Sequence, residues 1–261
     1  MSIFKHRYLT NFSHYFLRTV FNIPGVIILV SMVRFVYLIY IKKNHKTLYP
    51  IDSKPEAMGT SEEGGDTSLQ HNTGYLHDHF KNLPRRIMQF NAGRSLIPLW
   101  PLKALDFTRF INMKVLSIGP RMESELFKLV SMGFQLKNIK SIDIQSYSDL
   151  IELADMIKMP FEDNTFDLVL IGYVITYTNE PKKAIDEVIR VLKNKGIVSM
   201  CHSHASEFPG KGYSKVHINS SKVMLDFFGE NLGYTYFKYH PFDENKDLTY
   251  GRSNFMVSVK K

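Results

Sequence analysis

The sequence predicts an α/β fold: a mostly parallel sheet closed by a C-terminal antiparallel pair and preceded by an N-terminal hydrophobic helix. Three observations carry this. Between Met113 and Met200, short apolar runs alternate with amphipathic helical patterns, as in βαβ units. Tyr234–Tyr239 and Asn254–Val259 alternate like the strands of an antiparallel pair. Val20 to Ile41 is mostly apolar.

The leader, residues 1–50, holds Lys5, Arg7, Arg18, Arg34, Lys42, Lys43 and Lys46 and no acid, so most of the net charge of +8 belongs to it. A basic segment outside a nearly neutral core argues against a nucleic-acid-binding domain, whose basic residues would cover one folded face. It argues for a membrane contact or an address. As one helix, residues 20–41 would be about 33 Å long against a bilayer core of roughly 30 Å. Pro24, Gly25 and Arg34 oppose spanning, the arginine by about 3 kcal/mol near a membrane centre. Ser31 and Arg34 share a face, which suits a helix lying on a membrane or packed on the core. Localisation is therefore expected at a membrane, with a cytoplasmic or an organelle-targeted protein, the latter from this acid-free start, as the other readings.

Residues 51–74 are rich in Gly, Ser, Thr, Glu and Asp and read as a linker. Residues 75–110 are broken by Pro84, Pro98 and Pro101 and read as an irregular arm or lid. Residues 111–261 form the main domain. It starts with the strand Met113-Lys-Val-Leu-Ser-Ile-Gly119 and a helix with Leu126, Leu129, Val130 and Phe134 on one face. Lys140-Ser-Ile-Asp-Ile144 is a second strand, and only six residues separate Ile144 from Ile151, too few for a crossover helix. Phe166-Asp-Leu-Val-Leu-Ile171 is the central strand. The helix through Ala184, Ile185, Val188, Val191 and Leu192 is expected to close at Gly196, before the strand Ile197–Met200. Ser220 or Ser221 caps a last helix ahead of the antiparallel pair. The single cysteine, Cys201, excludes an intramolecular disulfide.

Taken together, "VLSIG", "SIDI", "ADMIKMPFEDNTFDLVLIGYV" and "EVIRVLKNKGIVSM" resemble the class I S-adenosylmethionine-dependent methyltransferases, in particular the methyltransferase-11-like branch, over roughly residues 110–200. The resemblance implies a Rossmann-like class I methyltransferase sheet, S-adenosyl-L-methionine as cofactor and a small-molecule, lipid or saccharide acceptor. In such proteins the first strand ends acid-x-Gly-x-Gly-x-Gly. Here the row is Ser117-Ile-Gly119-Pro-Arg121-Met-Glu123: the first glycine is present, serine replaces the acid, and Arg121 and Glu123 stand at the later glycine positions.

The candidate cofactor-binding residues follow. Gly119 permits close backbone approach. Arg121, at a helix N-terminus, would hold the methionine carboxylate and Glu123 its amine. Asp143, about 24 positions beyond Gly119, suits the two ribose hydroxyls. The resemblance assigns Asp155 and Met156 to the adenine and sets Gly172 beside the reacting methyl group. Tyr173, with Tyr177 next along, is a candidate for orienting the acceptor, and His202, with His204 two residues on, for a general base. No metal is expected. A non-catalytic protein that kept the fold and lost the cofactor is the rival reading, favoured by the altered glycine turn.

Overall fold

The computed structural model describes residues 13–48, 96–104, 107–120, 122–178, 180–203, 218, 220–239 and 252–261. Its strands are β1 (Lys46–Thr47), β2 (Val115–Ile118), β3 (Ile139–Asp143), β4 (Gln145–Ser146), β5 (Glu152–Leu153), β6 (Phe166–Gly172), β7 (Leu192–Ser203), β8 (Leu232–Tyr239) and β9 (Arg252–Val259). Seven of them form one sheet in the order β5-β3-β2-β6-β7-β9-β8, and β1 pairs separately with β4. The pairs from β5 through β7 are parallel. β9 runs antiparallel to both β7 and β8, which is the expected C-terminal antiparallel pair.

The alternation of strand side chains divides the core into two layers. Leu116, Ile118, Val169, Ile171, Val198, Met200, Phe255 and Val257 point to one face. There they meet helix α4 (Pro181–Val191), through Ala184, Ile185, Val188 and Val191, and α5 (Ser221–Asp226), through Met224 and Leu225. Val115, Leu168, Leu170 and Met256 point to the other, against α3 (Glu123–Met132) with Leu126, Leu129 and Val130. Proline at its first turn starts α4, where a missing N–H costs nothing. Ser220 caps α5 by accepting from the Val223 N–H at 3.3 Å. Gly196 does not cap α4: the helix ends at Val191, and the glycine lies within β7, where a Cβ would sit 2.8 Å from the Lys193 carbonyl oxygen.

The N-terminal segment departs from the single helix expected over residues 20–41. It forms α1 (Ser13–Asn22) and α2 (Val26–Val36), the latter continued by a π turn, Tyr37–Ile41, and the two helices are bent by 103°. The break falls where Pro24 and the left-handed Gly25 (φ +82°) would place it. Both helices pack on the α3 side of the sheet: Phe21 stacks on Phe127 and Phe35 meets Tyr147 edge to face. Asn44 donates to the Tyr147 carbonyl (3.0 Å), and the Leu48 N–H to that of Ile144 (2.8 Å).

This arrangement accounts for the missing crossover helix. Residues 144–151 cross from β3 to the parallel β5 without one, and α2 with β1 cover the surface such a helix would cover. The segment read as a leader thus supplies part of the core. The stretch 145–148 is buried, with β4 paired to β1.

On the opposite layer, Arg190 fixes the loop between β5 and β6. Its guanidinium donates to Glu187 twice (2.7 and 2.8 Å), to Asp163 (2.8 Å) and to the carbonyls of Phe161 (2.7 Å) and Met159 (3.1 Å). Arg190→Ala is expected to lower stability by about 1.5–3 kcal/mol, the range for hydrogen bonds to charged groups, measured by denaturant unfolding. The hydrogen bond from Arg190 also holds the Glu187 carboxyl below its free value of 4.5. Its contribution is therefore complete above that pH and is lost as the pH falls through the lower folded value. The difference between wild type and Arg190→Ala should shrink in acid.

Candidate active site

The parallel strands place five candidate residues along one edge of the sheet. Gly119 follows the end of β2, Asp143 ends β3, Asp155 and Met156 follow β5, and Gly172 ends β6. From β2 the chain builds outward to β3 and β5, and from β6 it builds the other way to β7, so the strand order reverses between β2 and β6. Such a switch point opens a crevice at the carboxyl ends of the strands. Here the crevice is lined by Pro98, Leu99, Ser117, Glu125, Leu129 and Gly172, among others.

Gly119 has φ +70°, a conformation that favours glycine, and its N–H donates to the Ile142 carbonyl (2.8 Å), fastening the turn to the end of β3. A Cβ on it would meet Val174 Cγ1 at 2.2 Å, so glycine here serves a protein contact. At Gly172 the reverse holds: among the described residues a Cβ would meet nothing within 4 Å. Asp143 is half-buried, and its Oδ1 accepts from the Gln145 N–H (3.2 Å). Asp155 accepts from the Ile157 N–H (3.1 Å), a turn-capping bond, while Met156 is partly buried against the core.

Glu123 has partners other than the amine assigned to it. It is fully buried, at 0% exposure, and Arg34 donates to both its oxygens, from Nε at 2.6 Å and Nη2 at 2.8 Å. Ser148 Oγ donates to it as well, and its own N–H donates to the Tyr147 hydroxyl (3.0 Å). The carboxylate therefore ties α2, the turn after β2 and the loop after β4 together, facing the protein rather than the crevice. Its hydrogen bond further favours the charged guanidinium of Arg34. Burial, then the nearby Glu123 carboxylate, push the Tyr147 phenol far above its ordinary range.

Tyr173 is buried and left-handed, with φ +63°, immediately after β6. A non-glycine residue there stores on the order of 1–3 kcal/mol of backbone strain, a feature that clusters at functional sites. Its N–H donates to the Cys201 carbonyl (2.9 Å). Tyr177 closes the short 3-10 turn that follows. His202 lies within β7, opposite Ser253, rather than in a loop past the strand, and is fully buried with its ring beside Phe255. Phe255 and Met200 belong to the α4 side, whereas Leu170 and Leu129 of the crevice belong to the α3 side. Two positions beyond Met200, His202 shares that α4 side, from which Ile118 also lines the crevice. Arg121 and His204 lie outside the described residues.

Sequence reasoning missed Glu125, Arg34, Tyr147 and Ser148. Glu125 lines the crevice with Ser117, near where the motif's acid is absent. Its signal was an acid in the first turn of a helix, which also reads as ordinary dipole compensation. Residues 96–104 lie across the sheet: Ser199 Oγ donates to the Pro98 carbonyl (2.5 Å) and Asn254 to that of Ile97 (2.9 Å), which sets Pro98 and Leu99 in the crevice wall.

Residues 129–200 match the family model described as a methyltransferase domain. Among curated relatives, the chain is 48% identical over 69 residues to a demethylmenaquinone methyltransferase of Renibacterium salmoninarum, covering 26% of this chain and 29% of the relative. It is 31% identical over 107 residues to the ubiquinone/menaquinone biosynthesis C-methyltransferase UbiE of Ruegeria sp., covering 41% and 42%. The chain spans less than half the length of the curated relatives it matches. Among solved structures, the N-methyltransferase NodS from Bradyrhizobium japonicum, in complex with S-adenosyl-L-homocysteine, superposes with a TM-score of 0.53 at 15% identity, over 75% of this chain and 100% of that one. That likeness is one of fold.

Proposed function

With the core of this chain placed in the class I S-adenosylmethionine-dependent methyltransferase family, we propose that the protein transfers a methyl group from S-adenosylmethionine to a small organic acceptor. The observation that carries this is the assembly of Gly119, Asp143, Met156 and Gly172 along the carboxyl ends of β2, β3, β5 and β6, at the point where strand order reverses. The residues present fit the cofactor. Among the described residues a Cβ on Gly172 would meet nothing within 4 Å, and a carboxylate stands at the end of β3 for two vicinal hydroxyls. Ser117 and Glu125 line the same crevice, in place of the acid that usually ends the first strand.

When bound, the cofactor supplies an electrophilic methyl group on its sulfonium. Asp143 would accept from the ribose hydroxyls, Met156 would lie against the adenine, and Glu125 with Ser117 would receive the amino end. Tyr173, fixed in a strained turn at the end of β6, orients the acceptor. Transfer of this kind depends on in-line positioning, so no base is required of His202. The acceptor proposed is an apolar small molecule. The relatives named for demethylmenaquinone and for ubiquinone/menaquinone biosynthesis support the same class.

Methyl-labelled S-adenosylmethionine, incubated with the full chain and an organic extract of cells, tests the proposal. Label is expected in the organic phase with wild type. Gly172→Leu, which adds a side chain at the end of β6, should lower it by more than tenfold at an unchanged melting temperature. Wild type that labels no acceptor fraction would count against the proposal.

A further inference from the structure

We propose that the outer face of α2 lies flat on an anionic lipid bilayer. The inner face of this helix is occupied: Ser31 and Phe35 are buried, and Val26, Ile27, Ile28, Val30 and Met32 pack against the core. The outer face is a continuous apolar stripe. Leu29, Val33, Val36 and Tyr40 recur at helical spacing with Tyr37 and Ile41 alongside, all exposed, from 40% at Val36 to 67% at Ile41. Phe16 on α1 and Ile23 just beyond it are exposed as well. An apolar surface of this extent marks an interaction site.

Charge identifies the occupant. The first 50 residues carry seven Lys and Arg and no acid, and Lys42, Lys43 and Lys46 stand exposed at the end of the stripe. Lys42 Nζ lies 5.7 Å from the centre of the Tyr37 ring, so ammonium and aromatic share one border of the patch. Apolar side chains flanked by tyrosines and lysines form the pattern of a helix lying in a membrane interface, where the rings sit at headgroup level and the cations meet anionic lipid. Arg34, the charge that opposes insertion, is neutralised by Glu123 on the protein side.

The helix lies on the bilayer and does not cross it. Among the described residues no single helix is long and apolar enough to span, and the bent pair α1 and α2 passes that test only when taken together. Val26 to Ile41 would reach about 24 Å, short of the roughly 30 Å of a hydrocarbon core, and one side of it is already packed. This inference does not rest on methyl transfer, because vesicle binding requires neither cofactor nor acceptor.

Cosedimentation of the full chain with vesicles tests it. Wild type is expected to pellet with vesicles of phosphatidylcholine mixed with phosphatidylglycerol and to stay largely in solution with phosphatidylcholine alone. Lys42→Glu with Lys43→Glu should lower the partition coefficient at least tenfold, since each basic residue near an anionic surface contributes roughly fivefold. Val33→Glu with Tyr40→Glu should bring it to background with the melting temperature unchanged. Three outcomes overturn the proposal: wild type that ignores the anionic vesicles; Val33→Glu/Tyr40→Glu that binds them as wild type does; or light scattering that finds a dimer which this variant dissociates, making a second copy the occupant.

Discussion

Arg34→Ala is expected to destabilise the folded chain by about 3 kcal/mol. Breaking a buried ion pair by removing one partner costs roughly 3–5 kcal/mol, because the remaining charge is left without compensation. The lower end applies here: Glu123 is fully buried, but the Arg34 side chain is 44% exposed, so water can reach part of the vacated space. Ser148 Oγ still donates to the carboxylate and compensates it in part. Arg34→Ala combined with Glu123→Gln removes the orphaned charge and should recover part of the loss, a non-additivity that a double-mutant cycle in denaturant measures directly. A loss below about 0.5 kcal/mol in the single variant, the level of an ordinary surface substitution, would mean that the pair does not hold α2 to the turn after β2.

Asp143→Ala is expected to weaken binding of S-adenosyl-L-homocysteine by about 1.5–3 kcal/mol, roughly ten- to 150-fold, the range for hydrogen bonds to a charged group. The fold should survive, because Asp143 is half-buried at a strand end and its Oδ1 makes a local turn bond to Gln145. Affinity by calorimetry and stability by thermal melting separate the two effects. Unchanged affinity in a folded variant would remove Asp143 from the site and leave the carboxyl edge of β3 without a role.

The sheet was legible because its signals are local. Apolar runs such as Val115–Ile118 and Phe166–Gly172, and the stripe of Ala184, Ile185, Val188 and Val191, have the right period and length on their own. The short path from β3 to β5 could also be read, as a helix that six residues cannot form. What replaces that helix could not, because the replacement comes from about a hundred positions earlier in the chain. Nothing in the spacing of Arg34 reveals that it meets Glu123, 89 residues away. An arginine in an apolar stretch reads as an obstacle to membrane insertion, and a glutamate at a glycine position reads as a ligand or an obstruction. Only the tertiary contact shows that each satisfies the other. The strand position of His202 was missed for a related reason: β7 runs on beyond Met200 through its pairing with β9, and pairing across fifty residues leaves no mark on local composition.

The carboxyl edge of β2, β3, β5 and β6 is expected to hold S-adenosylmethionine although Arg121 and Glu123 stand where glycines are usual. Calorimetric titration of the full chain with S-adenosyl-L-homocysteine tests this most directly. Saturable binding at one site per chain is expected, with a rise in melting temperature that grows with ligand concentration. A folded chain that shows neither heat nor a thermal shift at millimolar ligand would contradict it, and would make this protein a methyltransferase fold that no longer takes the cofactor.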